Sequence, residues 1–299
     1  MYKIQTNTIL SESLIKALDQ VPEDILSVIE FIKNKTSIDI NSDRDFVESY
    51  EKDWSNISGF ADAVSRPIDA EECATLLYLF SKKNIQITIS AGKTNLTGSA
   101  TPKEGLVINT ELMLLPKLEI DLNQKIAKVA IGEILENVRN EILYQSNNKL
   151  YYPVDPTSRK DARIGGTISC NASGFVPGEK GATRFWVESL SVVLLSGRLI
   201  YAKRGQYTSK NGIFLIDEHE VPLPNYSRPK IKNASGPYTA DTKEIDFVDL
   251  IIGSEGIFGM IVDCELRLDD LSNNHIDLFI PLKSEDIAIK FYYYIQNII

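Results

Sequence analysis

The stretch that most constrains this chain is residues 85–109, IQITISAGKTNLTGSATPKEGLVIN, which reads as strand, polar glycine loop, strand. Ile85, Ile87 and Ile89 alternate with Gln86, Thr88 and Ser90, the period of two of a strand with one buried face. Ser90-Ala91-Gly92-Lys93-Thr94-Asn95-Leu96-Thr97-Gly98 then separates that run from the extended Leu106-Val107-Ile108. Small residues let successive backbone N–H groups turn toward one point and hold phosphate oxygens. The same composition suits a plain turn. Gly92-Lys93-Thr94 imitates the end of a Walker A loop, but the position five residues before Gly92 is Ile87 instead of glycine. The chain contains no G-x-G-x-x-G, so a Rossmann dinucleotide fold has no support.

Charge narrows the ligand further. The net charge of −9 argues against nucleic acid, which needs an electropositive face. An anionic ligand would then rest on backbone amides and a few placed side chains. A chain of 299 residues, 43% hydrophobic and 24% charged, suits a globular protein of one large or two medium domains. No apolar run approaches the roughly 20 residues of a membrane span, and Met1 is not followed by a signal-peptide pattern. Cys73, Cys170 and Cys264 are far apart and suit reduced, packed thiols in a cytoplasmic setting. With His219 and His275 the only histidines, no metal site is expected within this chain.

From the N-terminus, residues 10–35 read as two short helices broken at Val21-Pro22, with Asp24 in the start of the second. Residues 41–65 are polar and irregular and include Asp53-Trp54-Ser55-Asn56. Asp69 is placed to cap an amphipathic helix over 69–83, with Ala70, Cys73, Ala74, Leu77 and Phe80 on one face. A hairpin around Asn123-Gln124 and a helix over 132–144 open a second unit. Tyr152-Pro153-Val154-Asp155-Pro156-Thr157-Ser158 is expected to be extended, because each proline disfavours helix at its predecessor. Ile164-Gly165-Gly166-Thr167-Ile168-Ser169-Cys170-Asn171-Ala172-Ser173-Gly174 reads as a second glycine loop. A hairpin turning at Ser196-Gly197 follows, then Gly253-Ser254-Glu255-Gly256-Ile257-Phe258-Gly259 leads into a strand with alternating faces from Met260 to Leu268.

This ordered set resembles the FAD-binding domain of the vanillyl-alcohol oxidase/PCMH flavoprotein superfamily, within it the D-lactate dehydrogenase and glycolate oxidase FAD-linked subunit branch. The matching pieces are Arg66-Pro67, Ser90 to Gly98, Pro153 to Pro156, Ile164 to Gly174, Gly181, and Ile252 to Gly259. Arg204-Gly205 and Lys232-Asn233-Ala234-Ser235-Gly236 look like inserts of some members, and the likeness spans about residues 53–270. It implies an α+β fold: a PCMH-type FAD-binding domain of two α+β subdomains, then the truncated start of an α+β substrate (cap) domain. The expected division is an N-terminal helical segment (1–45), subdomains at 46–115 and 116–271, and the incomplete cap from 272 to 299.

The resemblance also implies a site. Backbone amides of Ser90, Ala91, Gly92, Lys93, Thr94, Asn95, Leu96, Thr97 and Gly98 would cradle the FAD pyrophosphate, with Asn95 and Thr97 hydrogen-bonding its oxygens. Pro153, Asp155, Pro156, Thr157 and Ser158, with Gly165, Gly166, Thr167, Ser169, Asn171, Ala172 and Gly174, would run beside the isoalloxazine and ribityl groups. Gly181, and Gly253, Glu255 and Gly256 near the adenine, complete the expected set. FAD would be non-covalent: residues 60–109 contain no histidine, and Cys170 reads as a small packed residue.

The implied activity is oxidation of a 2-hydroxy acid such as D-lactate or glycolate by hydride transfer to flavin. Such a reaction needs a base and a cation or metal to hold the carboxylate. In the resembled branch these come from the substrate domain, so the catalytic residues are expected beyond residue 299, after a strand over 276–282 and a helix over 284–298. By itself the chain is then expected to turn over little. A UDP-N-acetylenolpyruvoylglucosamine reductase-like enzyme and a non-catalytic flavin-binding subunit remain open readings. The expected partners are FAD, a small 2-hydroxy acid and an electron acceptor of unspecified kind. A homo-oligomer, a partner chain or peripheral membrane docking is also compatible.

Overall fold

A helix at Ala70–Lys82 joins the two halves of the structure. Asp69 caps it by accepting from the Glu72 N–H, and Glu71 and Glu72 suit the positive end of its dipole. Cys73, Ala74, Leu76, Leu77, Leu79 and Phe80 are all fully buried, more than the one face that the spacing predicts. The reason is position: the helix packs against the strand Ile87–Ser90 of one sheet and Val187–Val193 of another. The structure, a computed structural model, describes residues 2–223, 233–234, 236, 244–272 and 278–298.

The first sheet has the spatial order Ile40–Asn41, Ala63–Ser65, Leu106–Asn109, Ile87–Ser90. Its last three strands are parallel, with Ile87 and Ala63 both opposite Leu106. The helix supplies the crossover that parallel pairing requires. Leu106–Asn109 lies in the middle and is buried along its whole length. The glycine loop leaves the carboxyl end of Ile87–Ser90, the edge at which open parallel sheets bind ligands.

The second sheet has six antiparallel strands, in the order Asn7–Thr8, Arg198–Lys203, Val187–Val193, Met260–Arg267, Ile126–Val129, Glu119–Asp121. Leu190 sits opposite both Ala202 and Cys264, and Cys264 opposite Val129, so the buried residues of four strands align. The hairpin expected at Ser196-Gly197 forms, with Gly197 at φ +72°. The N-terminal helices Glu12–Asp19 and Ile25–Lys35 are capped by Ser11 and Asp24. This segment also sends Asn7–Thr8 to the second sheet and Ile40–Asn41 to the first.

Two expectations are corrected. The glycine stretch from Ile164 is helical over Ile164–Ser169 before the chain turns. Ile164 and Ile168 lie one helical turn apart and are both fully buried, so burial overrides the low helix propensity of Gly165-Gly166. Of the strand expected over 276–282, residues 278–282 are described and are not in a strand, whereas the helix that follows forms as Glu285–Gln296. His275, Ile276, Lys232 and Ser235 lie outside the described residues.

Because Phe80 is fully buried in the helix between the two sheets, Phe80→Ala is expected to cost about 3–5 kcal/mol. Urea unfolding of the two proteins checks this as a lower midpoint with an unchanged slope.

Candidate active site

The glycine segments, distant in sequence, meet at one cleft. Its walls are Ile89, Ser90 and Ala91 from the first segment, Gly165, Gly166, Ser169 and Cys170 from the second, and Glu255 and Gly256 from the third. Together they frame a narrow space that opens to solvent. The backbones approach closely because glycine lets them. A Cβ on Gly166 would lie 3.1 Å from the Ala91 Cβ, and one on Gly256 3.3 Å from the Ile89 Cδ1. A Cβ on Gly92 would lie only 2.2 Å from the Asp161 carbonyl oxygen.

The first loop carries the most distinctive feature. Among the described residues, no main-chain N–H from Gly92 to Ser99 donates a hydrogen bond within the chain. Gly92, Lys93, Thr94, Asn95, Gly98 and Ser99 are nevertheless half-buried, with Leu96 and Thr97 exposed. Backbone donors without partners are rare in folded chains unless water or a ligand takes them. Side chains hold the loop in shape instead. Asn95 donates through Nδ2 to Asp53 Oδ2 at 2.6 Å and to Ser99 Oγ at 3.0 Å. Thr97 Oγ1 donates to Glu255 Oε1 at 3.0 Å, tying the first segment to the third.

Lys93 contributes backbone only. It takes a positive φ of 54°, and its Nζ donates to the Ser49 carbonyl at 2.6 Å and lies 4.3 Å from the Tyr50 ring centroid. Burial pulls its ammonium below the usual lysine range. The Tyr50 hydroxyl in turn donates to Glu111 at 2.6 Å, which also pairs with Arg66 at 3.0 Å. Burial, with the Glu111 bond added, pushes the Tyr50 phenol up to about 12.

The second segment divides its residues between cleft and scaffold. Gly165, Gly166 and Ser169 line the cleft. The Gly166 N–H has no acceptor among the described residues, while that of Gly165 donates to the Ile131 carbonyl. The Thr167 hydroxyl donates to the Ile164 carbonyl of its own helix. Asn171, in the left-handed region at φ 47°, accepts from the Arg184 N–H, and the Ala172 carbonyl accepts from Thr183. Gly174 packs onto Asp155, whose Oδ1 accepts from the Phe175 N–H, and the Gly174 N–H reaches the Gly181 carbonyl. Thus Asp155, Gly174 and Gly181 form one cluster. Pro156 and Ser158 accept from Arg159 and from Asp161 and Ala162, building the turn against which Gly92 rests. Pro153 and Thr157 do not line the cleft.

The third segment is fastened to the second: Gly253 N–H donates to Ile168 and Glu255 N–H to Ser169. Behind it lies a charge cluster. Arg184, 3% exposed, donates to Asp249 Oδ1 at 2.9 Å and to the Ile252 carbonyl at 2.6 Å, and Arg204 meets Asp249 Oδ2 at 3.1 Å. Arg184, Asp249 and Asp53 are the residues the sequence reading passes over. Their only signal is that each charged side chain adjoins a glycine segment in the fold, which spacing does not display.

Cys170 borders the cleft. Burial, then the charges of Glu255 and Asp53, push its thiol up to about 11, so it is protonated and a poor nucleophile at neutral pH. The Thr110 hydroxyl, also at the cleft, is buried and lacks a hydrogen-bond partner among the described residues.

Comparison with known proteins fits this geometry. Residues 61–203 match a family model described as an FAD binding domain. A D-2-hydroxyglutarate dehydrogenase of Xanthomonas citri pv. viticola is 29% identical over 82% of this chain and 44% of its own length. A D-lactate dehydrogenase of Archaeoglobus fulgidus is 28% identical over 76% of this chain and 43% of its own length. The chain thus spans about two fifths of each of these relatives. In fold it is similar to an alkyldihydroxyacetonephosphate synthase, with a TM-score of 0.58 at 15% identity over 90% of this chain and 42% of that one.

Asp249→Ala would leave Arg184 buried without its carboxylate, at an expected cost of about 3–5 kcal/mol. Arg184→Met with Asp249→Leu is expected to restore part of that stability, as read from melting temperatures. Cys170 is expected to react slowly with iodoacetamide at pH 8 and faster as pH rises toward its thiol pKa of about 11, checked by mass-spectrometric mapping.

Proposed function

We propose, from the FAD binding domain that residues 61–203 constitute, that the cleft holds FAD for a dehydrogenase of a 2-hydroxy acid such as D-lactate or glycolate. The observation that carries this reading is the run of N–H groups from Gly92 to Ser99 unbonded among the described residues, in a loop whose two ends, Ser90-Ala91 and Ser99-Ala100, line a cleft walled by glycine backbones, while Gly92 to Gly98 lie beside it. A pyrophosphate needs several N–H donors and little side-chain bulk, and the loop offers main-chain N–H groups from Gly92 to Ser99 that are unbonded among the described residues. A protein of net charge −9 would hold the dianion with backbone dipoles rather than with a basic surface.

When bound, FAD supplies a ring that accepts a hydride equivalent from a substrate carbon. The chain's own residues bind and orient it. Gly92 to Ser99 would cap the phosphate oxygens. Gly165 and Gly166 would let the ring lie against backbone, where the unpaired Gly166 N–H can donate to it. The Thr110 hydroxyl, buried and without a partner among the described residues, would be a side chain of the cleft able to bond the cofactor. The protonated Cys170 thiol supports non-covalent attachment. The Thr97–Glu255 contact would close the third segment over the same face. We assign the two sheets to subdomains at 46–115 and 116–271, each extended by one short strand of the N-terminal segment, Ile40–Asn41 and Asn7–Thr8, with the cleft between them, and we assign no catalytic base or metal ligand within this chain. The three unpaired cysteines support a cytoplasmic setting.

The purified protein is expected to show flavin absorption bands after incubation with FAD. Anaerobic addition of D-lactate, L-lactate and glycolate then tests the substrate class. Bleaching by one acid identifies it, and flavin that stays oxidised with all three restricts this chain to cofactor binding. Absence of flavin uptake contradicts the reading. A Cβ on Gly166 meets only the Ala91 Cβ, 3.1 Å away, so Gly166→Leu would fill the cleft with a shift of a few tenths of an ångström at Ala91. It is expected to weaken FAD binding about tenfold or more, which corresponds to about 1.4 kcal/mol, while the melting temperature of the FAD-free protein stays close to wild type.

A further inference from the structure

Asp53 lies outside the matched domain, yet it is the residue on which the first loop closes. It is 6% exposed, and both carboxylate oxygens are used. Oδ2 accepts from Asn95 Nδ2 at 2.6 Å and from the Ala100 N–H at 3.3 Å, and Oδ1 accepts from the Ser55 N–H at 2.9 Å. The neighbouring Trp54 N–H donates to the Lys93 carbonyl at 3.2 Å. The turn 53–55 therefore grips the loop on its incoming limb, at Lys93 and Asn95, and on its outgoing limb, at Ala100.

A carboxylate beneath an anion-binding loop raises the electrostatic cost of the anion, so Asp53 is not a phosphate ligand. Its geometry serves another end. The loop's own N–H groups from Gly92 to Ser99 make no hydrogen bond among the described residues, so backbone pairing does not fix their directions. A loop that must be ordered by its ligand loses affinity to that ordering, and one fixed in advance does not. Resting on the reading of the cleft as an FAD site, we propose that Asp53 is a positioning residue: through Asn95 and Ala100 it pre-forms the backbone nest that receives the pyrophosphate.

The test compares the full chain as wild type, Asp53→Ala, Asp53→Asn, Asn95→Ala and the Asp53→Ala/Asn95→Ala double variant. FAD affinity is read by quenching of flavin fluorescence, and release by chase. Asp53→Ala and Asn95→Ala are each expected to weaken binding about tenfold, mainly through faster release. The double variant is expected to be no worse than the weaker-binding single variant, because the Asp53–Asn95 bond is lost in each of them. Asp53→Asn recovers part of the loss, since its carbonyl still accepts from Asn95 while its amide faces the Ser55 N–H. In the FAD-free protein, hydrogen exchange at the Ala100 amide is expected to accelerate in Asp53→Ala. If Asp53→Ala does not fold, Asn95→Ala carries the test from the loop side. Wild-type affinity and release in both single variants, or fully additive losses, would overturn the positioning role alone. A wild-type chain that takes up no FAD would remove the reading of the cleft and the proposal with it.

Discussion

Backbone meets backbone at the centre of this structure, and everything around the cleft depends on that closeness. Gly92 rests on the Asp161 carbonyl, Gly166 faces Ala91, Gly174 lies on Asp155 and Gly256 abuts Ile89. A methyl group at Gly92 or Gly174 would come within 2.2 Å or 2.1 Å of an oxygen, a distance that no side-chain adjustment relieves at Gly92, where the oxygen is a carbonyl. The two sheets can therefore present their loops to one space only because those positions carry no side chain. The helix Ala70–Lys82, buried against both sheets, fixes the distance between them.

Charge is arranged to leave that space to backbone dipoles. Lys93, the one cation within the loop, is turned onto Ser49 and Tyr50, and Arg66 is committed to Asp39 and Glu111. Arg184 and Arg204 are spent on Asp249 behind the third segment. A buried arginine whose carboxylate is removed is far more costly than a surface pair. That cluster therefore serves to hold Ile252 and Gly253 in place, not to attract a ligand. What remains at the cleft, beside the Glu255 carboxylate that accepts from Thr97, is a set of N–H groups and hydroxyls suited to a delocalised anion.

Much of this was legible in the sequence where the determinants are local. The Asp69 cap and the turns at Asn123-Gln124 and Ser196-Gly197 each depend on residues within a few positions of one another, and each forms. The strand read from Ile85 forms over Ile87–Ser90, but without the alternating burial, Ser90 being its one buried residue. The order of the glycine segments carried the resemblance that the FAD-binding match then bore out. The helix Ile164–Ser169 was hidden because Gly165-Gly166 opposes it locally, and only tertiary burial of Ile164 and Ile168 decides in its favour. Asp53 was hidden for a different reason: its partner Asn95 lies 42 residues away, and a lone aspartate in a polar stretch has no periodicity to mark it.

The most direct test is a crystal structure of this chain with FAD. The account requires pyrophosphate oxygens within hydrogen-bonding distance of the main-chain nitrogens between Gly92 and Ser99, with the ring beside Gly165 and Gly166 and Lys93 still on Ser49. A pyrophosphate held by the Lys93 ammonium, or an FAD bound away from the glycine segments, would contradict it.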